Sequence, residues 1–153
     1  MAYSSGISNI SYAQVIAKMH TCRRTVDDIH DKTISSRMAK VYKQDICYDI
    51  QQMCEIMMKI QFVEAGVQIT NYKYFRHDLS DIYQYAQTFT GLNLYVPDEI
   101  KNAFMKITSW EVHGRYDYGM TVRLDTIEKF LNVIDEWISV QTKNKSIYNT
   151  YNY

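Results

Sequence analysis

One proline and five glycines in 153 residues leave very few places where a helix has to stop. Proline removes a backbone donor and clashes with the preceding turn, and glycine is a poor helix former, so a chain short of both can run as long helices. Apart from Gly6 near the start, the breakers that do occur, Gly66, Gly91, Pro97, Gly114 and Gly119, fall between apolar-periodic stretches and mark seams. An all-α chain follows from this pattern.

Apolar residues at three- and four-residue spacing define the helices. From about Asn9 to Ile34 the stripe is Tyr12, Val15, Ile16, Met19, Val26 and Ile29. From about Arg37 to Ala65 it is Ile46, Ile50, Met53, Met57 and Ile60, widened by Cys47, Cys54 and Met58, with Gly66 placed for a left-handed cap. A third helix is expected over Asp78 to Thr90, with Leu79, Ile82, Tyr83, Ala86 and Phe89 inward. A fourth opens at Pro97-Asp98-Glu99, where proline suits the first turn and carboxylates suit the positive end of the dipole, and carries Ile100, Ala103, Phe104, Ile107 and Trp110. The last, about Val122 to Thr142, has the stripe Leu124, Ile127, Leu131, Ile134 and Ile138. The expected architecture is an up-and-down bundle of four to five helices, one domain over residues 1–143, with 144–153 as a flexible tail.

Lys plus Arg and Asp plus Glu balance at 17 each, so any nucleic-acid contact is local rather than a property of the whole surface. Cys22, Cys47 and Cys54 are odd in number and lack C-x-x-C spacing, which favours small core residues over a disulfide framework or a zinc site. No metal or other cofactor is implied. With no basic region before an apolar run at the start and no apolar stretch of membrane-spanning length, a cytoplasmic chain without membrane association is expected. Fourteen tyrosines are many for this length. Tyr42, Tyr48, Tyr72, Tyr74, Tyr85 and Tyr95 fall off the inward stripes, where their amphipathic rings suit either an ordinary surface or a self-association interface.

Two polar clusters stand out. Phe75-Arg76-His77-Asp78-Leu79 puts a titratable His-Asp pair at a helix start, and Trp110-Glu111-Val112-His113-Gly114-Arg115-Tyr116-Asp117 ends the next helix. Asp78 can simply cap backbone amides. His77 can instead lie beside Arg115 and contact a phosphate or base. Arg115 has a structural alternative in an ion pair with Glu55 or Asp78. Glu55 and Lys59 lie four apart and read as an i,i+4 pair. P-loop, G-x-G-x-x-G, H-E-x-x-H and G-x-S-x-G motifs are absent from the sequence.

In their order along the chain, Glu55-Ile56-Met57-Met58-Lys59, His77-Asp78-Leu79, Pro97-Asp98-Glu99-Ile100 and Arg115-Tyr116-Asp117 resemble the HEPN family, helical domains named for nucleotide binding in higher eukaryotes and prokaryotes. The resemblance spans most of the chain. It implies a four- to five-helix bundle, a homodimer, association with a nucleotide or RNA, and a small nucleotidyltransferase as partner. It nominates Glu55, Lys59, His77, Asp78, Arg115 and Tyr116 as ligand-binding residues. Many members are metal-independent ribonucleases of toxin or defence type, with an Arg followed four to six residues later by His before the last helix. Here no His follows Arg115, and His113 precedes it by two. Arg23 or Arg24 with His30 has the spacing, but on the first helix. The leading expectation is therefore binding without efficient catalysis. The alternatives are a divergent ribonuclease using His77 or His113 with Arg115, and a purely structural dimerising module.

Overall fold

A computed structural model of the chain describes residues 2–31, 33–111 and 122–143, with side chains from residue 11 onward. Among the described residues it contains six α-helices, one short 3-10 turn at Tyr72–Tyr74 and no strand: α1 (Ala2–His30), α2 (Ser36–Ala65), α3 (Leu79–Ala86), α4 (Asp98–Lys101), α5 (Phe104–Ser109) and α6 (Leu124–Thr142). The helical bundle read from the sequence is present. None of the described helices is long and apolar enough to cross a membrane.

Three long helices form the frame. α1 packs along α2, and α6 lies against both. The inward stripes meet there: Tyr12, Val15, Ile16 and Met19 of α1, Ile50, Met53 and Met57 of α2, and Ile127, Leu131, Ile134 and Trp137 of α6 are all buried. Burying such a side chain contributes about 1.5–3 kcal/mol relative to leaving it in water, so this seam dominates the stability. Cys22, Cys47 and Cys54 are free thiols inside it, and burial pushes Cys47 up to about 12.

Helix ends follow local chemistry. Ser35 caps α2 by accepting from the Met38 amide at 3.1 Å, and Gly66 closes it at φ 69° with its own amide bonded to the last turn. α1 begins earlier than its stripe, at Ala2 rather than Asn9, so Gly6 does not break it. It also ends before Ile34, because the Asp31 carboxylate accepts from the Thr33 amide and hydroxyl at 3.0 and 2.9 Å and turns the chain out of the helix.

Two expectations about the shorter helices change. α3 stops at Ala86 rather than near Thr90, as its last turn tightens into i→i+3 bonds from the Thr88 and Phe89 amides. Its buried face is Leu79, Ile82, Tyr85 and Ala86, so Tyr85 points inward while Tyr83 is half-buried. The single fourth helix is two short ones, α4 and α5, broken at Ala103, whose φ of −116° and ψ of 15° leave the helical region. The break lets Phe104 pack on Tyr83, with ring centres 5.7 Å apart. The tail 144–153 lies outside the described residues.

Candidate functional site

The centre of the polar site is Glu55, only 8% exposed on the inner side of α2. The helix period that buries Gln51, Cys54, Glu55 and Met58 together puts a carboxylate under the loop connecting α2 to α3. That loop is held from several sides. The Tyr85 hydroxyl accepts from the Thr70 and Asn71 amides at 3.0 and 3.1 Å, and Phe75 packs edge-on against Phe62 with centroids 4.8 Å apart. The Gln51 amide nitrogen donates to the His77 carbonyl at 2.9 Å, and the Leu79 amide donates to Thr108 Oγ1 at 3.1 Å. His77 is thereby fixed directly above α2.

The carboxylate oxygens divide the work. Oε1 meets His77 Nδ1 at 2.9 Å and Gln51 Nε2 at 3.2 Å, while Oε2 takes Lys59 Nζ at 2.9 Å. Gln51 is itself completed by a bond from Gln52 Nε2 to its Oε1 at 2.8 Å. Burial alone pushes the Glu55 carboxyl upward, but the bonds from His77, Lys59 and Gln51 outweigh it and hold the group below its ordinary value. Glu55 is thus ionised at neutral pH, and its charge is shared between two cationic or cation-forming neighbours.

What faces outward is the other half of each partner. The His77 side chain is 57% exposed, and a bond at Nδ1 leaves Nε2 on the far edge of the ring. A carboxylate on one ring nitrogen fixes the tautomer so that the other acts as a proton acceptor, or as a donor once the ring is charged. Lys59 is a quarter exposed and lies 4.8 Å from the Phe75 ring centre. Arg76 is exposed next to His77. The arrangement can meet an anion with a hydrogen-bonding imidazole and an ammonium, and can move a proton at Nε2.

The residues singled out in the sequence separate into four groups. Glu55, Lys59 and His77 come together. Asp78 caps α3, its Oδ1 accepting from the Asp81 amide at 3.1 Å, so one of its oxygens is committed to the helix start. His113, Arg115 and Tyr116 lie outside the described residues. The Arg23 and His30 pair belongs to another face: Arg23 reaches Asn132 and Asp135 at 2.9 and 3.5 Å, and His30 reaches Glu128 at 3.3 Å, tying α1 to α6.

Gln51 and Phe75 complete the site without having been nominated. Gln51 precedes Glu55 by one helical turn, a spacing that could have identified it. Phe75 gave no such signal, because its role depends on the loop folding back over Lys59. Among the described residues no three of His, Cys, Asp or Glu form a metal-holding group. No family model matches the chain, and no curated protein or solved structure shows detectable similarity to it.

Proposed function

We propose that the Glu55–His77–Lys59 cluster is the phosphate-recognition site of a HEPN-like helical protein that binds a nucleotide or RNA. The observation that carries this reading is the division of one buried carboxylate between His77 and Lys59, which holds two phosphate-compatible groups side by side with their free faces toward solvent. A neutral chain needs such a local device, since its overall charge attracts no polyanion. The resemblance in sequence adds a homodimer and a small nucleotidyltransferase partner to the proposal, and Arg115 and Tyr116 as further ligand contacts.

A ribonuclease reading has one observation in its favour. A His oriented through Nδ1 by a buried carboxylate presents Nε2 as a general base for a ribose 2′-hydroxyl, and Lys59 can stabilise charge on the phosphate. Against it stands the missing His after Arg115.

Labelled RNA incubated with wild type and with His77→Ala, in the presence of a chelator, separates the two. Intact RNA that shifts the melting temperature of wild type but not of the variant supports recognition without cleavage. Cleavage by wild type that His77→Ala abolishes replaces it with the nuclease reading. No shift and no cleavage leaves only the structural dimerising module.

A further inference from the structure

Directly beside the polar cluster lies a cavity of about 190 Å³ between α1 and α2. Its floor is Ile56, Ile60 and Val63 of α2, its roof is Phe75, and Ser11 and Gln14 of α1 form the opposite wall. Lys59 belongs to both places: its ammonium bonds Glu55 and sits over the Phe75 ring, and the same residue lines the cavity. A cation therefore stands at the boundary between an apolar cleft and the face where His77 is exposed.

The shape and chemistry limit what fits. Pockets that engulf a whole small ligand span roughly 300–1,000 Å³. This one is smaller and accepts a single ring system, with the remainder of the ligand outside. The floor and roof offer aliphatic and aromatic contact to flat faces. The α1 wall adds an amide, which both donates and accepts, and a hydroxyl, which suit the polar edge of a heterocycle. An anion attached to that ring by a short spacer would fall on Lys59 and His77.

We propose that this cleft takes the base of a nucleoside monophosphate whose phosphate rests on Lys59 and His77, either as a free nucleotide or as the phosphorylated end of an RNA strand. The inference rests on the phosphate-recognition reading above and adds the base to it.

Titration calorimetry with AMP, ribose 5-phosphate, butyl phosphate and inorganic phosphate tests it. AMP should bind at least about tenfold more tightly than the three ligands without a base, in keeping with what base stacking contributes. Val63→Trp, which fills the cleft, should abolish that preference while leaving ribose 5-phosphate binding intact. Gln14→Leu, at an exposed position on α1, should weaken AMP alone. His77→Ala combined with Lys59→Met should weaken every phosphate ligand. Competition between AMP and a 5′-phosphorylated tri-adenylate identifies the source: a tighter oligonucleotide points to a strand end, a tighter AMP to the free nucleotide. Equal affinities for all four small ligands in wild type would overturn the base pocket and leave the phosphate site standing. Absence of binding by any of them, including the oligonucleotide, would overturn both.

Discussion

Glu55 shows how one residue can be both a structural tie and the organiser of a site. It anchors the loop carrying His77 to α2, and it does so as an anion. Its carboxyl is held below the 4.5 of an ordinary glutamate, so as acid is added the unfolded chain takes up the proton first. The resulting stabilisation is complete above about pH 4.5 and disappears as pH falls through the lower folded-state value. Glu55→Gln should therefore cost about 1–2 kcal/mol at pH 7, the scale of a buried hydrogen-bonded group losing its charged partners. The gap between variant and wild type should narrow by pH 3.5 in urea titrations. A gap independent of pH would mean that the charge of Glu55 does not matter. Asp49 has the opposite sign. Burial is the main cause that raises its carboxyl, only partly offset by Lys18 at 3.7 Å, so the folded state holds the proton longer and stability is lost as pH rises from 3.8 through the raised value. Asp49→Asn should gain stability relative to wild type between pH 3.5 and 7, measured by the same titration.

At the scale of elements, the ends of helices are where local chemistry can be separated from packing. Gly66 sits at φ 69° with open space where a Cβ would go, so Gly66→Ala meets no clash and feels only the left-handed backbone. The expected cost is about 1 kcal/mol, seen as a lower urea midpoint with an unchanged m-value. A changed slope would point to an altered compactness instead. This cap was legible in the sequence, as were the α2 stripe from Ile46 to Ile60 and the α6 stripe from Ile127 to Ile138, because a 3.6-residue period is written directly into residue order. The break between α4 and α5 was not. Lys101-Asn102-Ala103-Phe104 contains no breaker, and the kink follows from Phe104 finding Tyr83 and Ile107 finding the core, contacts that local order does not encode. The site shows the same division. Glu55 and Lys59 are one turn apart and were readable as a pair, and His77 was readable as a helix-start residue. That His77 reaches Glu55 across 22 positions depends on how Gln51, Tyr85 and Phe62 fold the loop back.

The whole molecule is bound together by polar contacts as well as by its apolar seam. Gln141 near the end of α6 donates to the Tyr12 hydroxyl at 2.9 Å and accepts from Trp137 Nε1 and, at 3.0 Å, from Gln61 Nε2. Tyr12 passes the chain on to Glu64 at 3.0 Å, and Gln61 grips the backbone of Tyr95 through its amide nitrogen and oxygen, both at 2.8 Å. One amide thus links α1, α2, α6 and the segment leading into α4, bridging residues 129 positions apart. Apolar packing tolerates small sliding between helices, whereas a chain of directional bonds has one register, so this network fixes how the three long helices align. Gln141→Leu should leave the Trp137 indole without its acceptor in α6 and cost about 2–3 kcal/mol, the price of desolvated groups left unpaired. Tyr12→Phe should cost less alone, and the double variant should fall short of the sum by 0.5 kcal/mol or more, on the order of the coupling seen between residues in direct contact. Strict additivity in a double-mutant cycle would show that the Tyr12–Gln141 bond carries no coupling between α1 and α6. A single unfolding transition followed by both tryptophan fluorescence and far-ultraviolet dichroism should accompany the coupling, since α1 cannot detach from α6 without exposing the seam that α2 shares with both.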